Sequence, residues 1–261
     1  MENTIDWTKY KQASEDDKVN LLKIWAEQGD SNAQFRLGVR CLEGDGVEQD
    51  FSEAAHWFRL AAEQGDLYAQ INLGLQYQKG EGVDKNTEEA FRWYMKAAKQ
   101  GNAEAQNEIG LMFDEGNGVM QDYGEAYKWY RMAANQGLAC AQYNLGLMYF
   151  QGKWDEKNYM EAQYWYKLAA EQGDSHAQNN LGDMYLNGHG CPVDYSEAMR
   201  LFLMASKRGD VLAYLNIGTM YEKGLGVEKN TQLAKEWYQK AAVKGCEEAI
   251  AALERLKMTV F

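Results

Sequence analysis

Residues 86–102 read NTEEAFRWYMKAAKQGN. Ala90, Trp93, Tyr94, Ala97 and Ala98 stand at i, i+3, i+4, i+7 and i+8, the spacing that lays apolar side chains along one stripe of an α-helix. Asn86 precedes the stripe as a short polar side chain able to accept from the first unpaired N–H groups, with Glu89 three residues on. Gly101 stops the helix, because glycine takes the left-handed conformation favoured just past a helix end. Asn102 is placed to cap a second helix at once.

The pattern returns every 36 residues. From Ser31 the chain divides without insertion into residues 31–66, 67–102, 103–138, 139–174, 175–210 and 211–246. The second half of each unit is the helix just described, helix B. The first half, for example AEAQNEIGLMFDEG from Ala103, is helix A, with Ala105, Ile109, Met112 and Phe113 on one side. Gly110 sits in the middle of it and recurs as Gly38, Gly74, Gly146, Gly182 and Gly218. A mid-helix glycine costs about 1 kcal/mol relative to alanine, so its recurrence predicts another helix packed closely on bare backbone. A Gly-x-Gly-Val loop joins helix A to helix B.

The flanks complete the stack. Residues 1–30 read as an N-terminal cap in which KVNLLKIWAEQGD, 18–30, matches a helix B without its helix A. Residues 247–261 begin with EEAIAALERLK, a last helix A, and end in an apolar tail, Val260 and Phe261, suited to self-assembly. The expected fold is all-α: one domain over 1–261, a right-handed superhelical α/α solenoid of six 36-residue helix–turn–helix repeats with half-repeat helical caps and a concave face.

The stretch AQYNLGLMYFQG (141–152), followed by EAQYWYKLAAEQGD (161–174), resembles the Sel-one-like repeat, a relative of the tetratricopeptide repeat. The resemblance covers 31–246. It implies a noncatalytic scaffold that binds other proteins in signalling, envelope or secretion-linked assemblies. Toxin immunity is a further role open to a small acidic binder. A cysteine-rich branch of the family implies an alternative, an enzyme or regulator in peptidoglycan or β-lactam chemistry. Here Cys41, Cys140, Cys191 and Cys246 fall at four different repeat positions, so that branch's pattern is absent.

Composition narrows the partners. A net charge of −12 argues against nucleic acid and against anionic membrane surfaces. No run of about 18 apolar residues offers membrane insertion, and MENTIDWTKYKQASEDD lacks a signal segment, so the expected location is cytoplasmic. The four cysteines read as free thiols. No nucleophile, phosphate-loop or zinc motif is present, and with three histidines the chain is read as no enzyme, with no cofactor. His176, Asp183, His189 and Cys191 match no tight metal spacing, so no metal site is expected.

Residues that recur between repeats serve the fold. Trp57, Trp93, Trp129, Trp165 and Trp237, with Tyr94, Tyr130, Tyr166 and Tyr238, are assigned to the core. Gln34, Gln70, Gln106, Gln142 and Gln178 are expected to bridge backbone between repeats. The second, fifth, ninth and twelfth residues of helix A vary and are expected to line the concave groove. The candidates are Phe35, Tyr68 and Ile71; Asn107 and Asp114; Tyr143, Leu147 and Phe150; and His176, Asn179 and Asp183. Apolar anchors beside acidic positions suit an extended or helical peptide with basic flanks; packing against neighbours is the competing use. Asn72, Asn144, Asn180 and Asn216 either hold a peptide backbone or serve the structure. In GKWDEKNY (152–159) Trp154 replaces the second loop glycine and Asp155 the valine, so this loop must take another path. Trp154 then either projects from the rim as a binding hot spot or folds back to fill the space.

Overall fold

The computed structural model describes residues 7–258, which form fifteen helices and no strand. They are α1 (Trp7–Gln12), α2 (Glu15–Glu27), α3 (Ser31–Glu43), α4 (Phe51–Glu63), α5 (Leu67–Lys79), α6 (Thr87–Lys99), α7 (Ala103–Glu115), α8 (Tyr123–Asn135), α9 (Ala139–Gln151), α10 (Tyr159–Glu171), α11 (Ser175–Asn187), α12 (Tyr195–Lys207), α13 (Val211–Lys223), α14 (Thr231–Val243) and α15 (Glu247–Met258). Six A–B pairs thus fall in the expected 36-residue frame. Close contacts gather the chain into two compact units, Met1–Ala133 and Ala134–Phe261. In each, successive helices pack on one another.

Local chemistry sets the helix ends. Asp50 Oδ1 accepts from the N–H groups of Ser52 and Glu53, and Asn86 Oδ1 from Glu89. Asp66 and Asn102, straight after the stop glycines, cap α5 and α7 through Ala69 and Ala105. At α9 the cap position holds Leu138, which makes no such bond.

At the mid-helix glycines another helix does pack closely on bare backbone, and the group that meets it is a ring. A methyl group at Gly110 would lie 2.6 Å from Cδ1 of Tyr130, on helix B of the same repeat, and at Gly38 2.7 Å from Phe58. The rings at this position, Phe58, Tyr94, Tyr130, Tyr166, Phe202 and Tyr238, are buried almost completely. The neighbouring tryptophans are less uniform than the core assignment. Trp93 and Trp165 are buried, but Trp57, Trp129 and Trp237 are half-buried. They lie beside the glycine seam rather than on it. Lys96 covers Trp93 at 3.7 Å and Lys240 covers Trp237 at 3.8 Å, which fits an edge position.

Amide rungs tie one repeat to the next, as expected. Gln34, Gln70, Gln106, Gln142 and Gln178 each donate to a carbonyl of the preceding helix B, those of Ala26, Ala62, Ala98, Ala134 and Ala170. Gln64, Gln100 and Gln172 in turn donate to Gln34, Gln70 and Gln142. Arg208 stands where the next such glutamine would be, and Gln178 Oε1 is left buried without a partner.

The caps hold one feature the sequence did not announce. α2 is the lone B-type helix, but α1 packs on it as well: Trp7 and Tyr10 place their rings 5.1 and 6.3 Å from Trp25, with Arg36 over Trp7 at 5.2 Å. These rings give α2 apolar cover in place of a helix A. α15 is the final helix A. Val260 and Phe261 lie outside the described residues.

Candidate partner-binding face

The varying positions of helix A lie on one side of each repeat, and their surroundings differ between the units. In the first unit Phe35 on α3 packs between Phe58 and Tyr68, each 6.0 Å away. Tyr68 is 59% exposed. Ile71 is half-buried against the cluster of Tyr94 and Ile109. Asn107 does not offer the surface contact expected of it: it is buried and hydrogen-bonds the Glu108 side chain. Burial pushes the Glu108 carboxyl above its ordinary value, against the opposing pull of hydrogen bonds from Gln78 and Asn107. Asp114 is half-buried.

The second unit carries the denser arrangement. Tyr143, Leu147 and Phe150 on α9 form a half-buried cluster around Tyr166 and Leu181. Tyr143 lies 5.8 Å from Tyr166 and 5.8 Å from His176, which is exposed. His176 Nδ1 is 3.0 Å from Asp210 Oδ2, while Oδ1 of the same carboxylate caps α13 by accepting from Ala213 N–H at 2.8 Å. Phe150 meets Tyr159 at 5.4 Å, Tyr166 at 6.4 Å and His189 at 5.7 Å, and His189 stacks on Tyr159 at 5.1 Å. Asp183 on α11 is half-buried and accepts from Asn187 Nδ2 at 2.8 Å. Burial raises its carboxyl, with His189 pulling the other way. Burial also raises the Tyr143 and Tyr166 phenols, which share the Asn180 amide.

Asn179, like Asn107, is buried rather than offered. It donates to Asn180 and accepts from Asn216, an amide chain between α11 and α13. Asn72 donates to the Tyr68 carbonyl and Asn180 to the Tyr166 hydroxyl, so these asparagines have partners within the fold. Trp154 is 47% exposed. The four-residue metal set does not assemble: among the described residues no three His, Cys, Asp or Glu side chains gather about one point. Sequence reasoning missed Tyr159 and His189 as neighbours of this cluster. The signal was present in the rung geometry, because Tyr159 and His189, like Gln142 and Gln172, are 30 residues apart.

Capped helix pairs in register, with glycine–ring seams within repeats and amide rungs between them, define an α-solenoid repeat protein. The Sel1 repeat profile matches residues 31–66, 67–102, 103–138, 141–174, 175–210 and 211–246, and the chain belongs to that family. A protective antigen of uropathogenic Escherichia coli with an SLR fold is 35% identical, with a TM-score of 0.86 over 97% of this chain and 56% of that one. This chain therefore spans about half the length of that relative. A Sel1 repeat protein of Oxalobacter formigenes is 37% identical, with a TM-score of 0.80 over 90% of this chain and 94% of that one. PilF of Pseudomonas aeruginosa, 18% identical, matches at a TM-score of 0.63 over 88% of this chain and 99% of that one, a likeness of fold. A comparison with curated proteins returns no match. Among the described residues no helix is long and apolar enough to cross a membrane.

Proposed function

We propose that the protein is a noncatalytic interaction module that binds a peptide segment or protein surface on the helix-A face of its fourth and fifth repeats. Tyr143, Leu147 and Phe150 act as apolar anchors, and the half-buried Asp183 favours a partner with basic flanks. One observation carries this reading: the half-buried rings of Tyr143 and Phe150 cluster with Leu147, and none of the varying face positions of α9 and α11 holds a lysine or arginine. Aromatic anchors in partly desolvated surroundings supply most of the energy at protein interfaces. The overall negative charge supports a cationic partner and opposes nucleic acid. The free thiols of Cys41, Cys191 and Cys246 fit a reducing compartment, the cytoplasm.

The test is a selection from a displayed random-peptide library on the wild-type protein, with counter-selection on a Tyr143→Ala, Phe150→Ala variant that keeps its helical circular dichroism. Peptides with spaced apolar residues that bind the wild type and lose at least tenfold in affinity for the variant are expected. Equal binding to both proteins overturns the assignment to this face.

A further inference from the structure

Leu201 on α12 breaks the tryptophan column. The equivalent residues are Trp57, Trp93, Trp129, Trp165 and Trp237, so the fifth repeat alone lacks the indole. Other repeats show where that indole packs. Trp93 shares a buried cluster with Ala62 and Leu73, with Tyr77 packed against it. Trp129 packs on the cluster of Ala98 and Ile109, and Trp237 on that of Ile217. Three repeats on from Ala62, Leu73 and Tyr77 stand Ala170, Leu181 and Tyr185. Leu201 joins them in one cluster, but its shorter side chain leaves a cleft of about 180 Å³ lined by all four. A cavity of roughly 150 Å³ in a protein interior holds one benzene ring. Three residues past the tryptophan, Lys96 and Lys240 cover Trp93 and Trp237. Met204 takes that position in the fifth repeat and also lines the cleft.

We infer that this cleft is a binding site for the indole ring of a tryptophan side chain carried by a partner protein. The site goes beyond the helix-A face, since none of Tyr143, Leu147 and Phe150 lines it. Ala170, Leu181 and Leu201 supply buried apolar lining, and Tyr185 and Met204 are half-buried. A ring placed there replaces water over apolar surface that the other repeats cover with their own tryptophan. Met204 adapts to the ring and offers it a sulfur–aromatic contact. Lys167, Glu171, Glu197 and Arg200 complete the lining, the last two paired at 2.6 Å. Charges of both signs suit the neutral main chain on either side of a tryptophan, whose N–H groups meet carboxylates and whose carbonyls meet cations. A free anion or cation would meet a repelling group beside each attracting one.

The probe is N-acetyl-tryptophan amide, titrated into the isotopically labelled protein and followed by amide nitrogen–proton correlation spectra. Expected are shifts of the Ala170, Leu181, Leu201 and Met204 signals that saturate. N-acetyl-leucine amide should bind about tenfold more weakly, because it buries less apolar surface. Skatole, the same ring without main chain, should also bind more weakly than the tryptophan amide. Leu201→Trp fills the cleft from within, so it should melt at or above the wild-type temperature and lose the shifts at Ala170, Leu181 and Met204. Absence of any shift at the four residues overturns the site, as does equal binding of the tryptophan and leucine amides, or equal binding by wild type and Leu201→Trp. Skatole binding as tightly as the tryptophan amide overturns a partner's side chain as the occupant and assigns the cleft to a free indole. The ligand comparisons use only the wild-type protein, so they stand whether or not the variant folds.

Discussion

The second and fourth loops of the repeat array do the same job with different chemistry. Gly82 takes φ +73°, and a side chain there would collide with the Phe51 carbonyl of the preceding helix B, which itself accepts from Gln76. Trp154 occupies the equivalent place in the fourth loop, yet among the described residues no non-glycine has a positive φ. The path between the helices has therefore changed, as the sequence required. Both loops still close alike: Asn86 N–H donates to the Tyr77 carbonyl at 2.9 Å, and Asn158 N–H to that of Tyr149 at 3.0 Å. The ends of the loop are held by the fold while its middle is free to vary.

Exchanging the residues tests that division most severely. Gly82→Trp should cost about 3 kcal/mol or more in chemical denaturation, from left-handed strain added to a backbone collision. A milder probe of the fixed parts is Gly110→Ala, where helix propensity favours the change by about 1 kcal/mol but the Tyr130 ring does not yield; a net loss of about 2 kcal/mol is expected in the same measurement. Arg208→Gln should act in the opposite direction, supplying the donor that Gln178 Oε1 lacks and adding about 1 kcal/mol. Asp183→Asn sharpens the contrast through pH. Burial raises this carboxyl in the folded state, so the associated stability is present at acid pH and lost as pH rises through the folded value. The asparagine variant should therefore melt higher than wild type at neutral pH, with the difference gone near about pH 4. Trp154→Gly should shift stability by no more than about 0.5 kcal/mol. A large loss there would make Trp154 a packing residue and end the contrast.

Most of the fold was legible because it repeats. Gly110 and Asn86 occupy positions with one physical demand each, and six copies make the demand visible. Asn107 and Asn179 were misread for the complementary reason. Position five of helix A is shared between surface and interior, and in their repeats the interior claims it, to satisfy Glu108 and Asn216. The tryptophans were overrated because recurrence marks structural use without distinguishing seam from edge. The Phe150–His189 contact was hidden because it joins a helix residue to a loop residue of the next repeat. A helical stripe lists neighbours three or four residues apart, and only the inter-repeat offset links residues much farther along the chain. α1 escaped notice because one short segment with Trp7 and Tyr10 has no second copy to compare.

The amide rungs carry one more implication, for how the molecule comes apart. In the second unit they run from Gln142 to Gln178 and then cease: Tyr214 replaces the next glutamine, and Arg208 has already vacated the second row. In a stack whose stability is a sum of nearest-neighbour terms, the junction with the fewest ties opens first. Amide protons of α13 to α15 should thus exchange with solvent ahead of those of α9 to α11, giving the second unit a frayed end and a slow one.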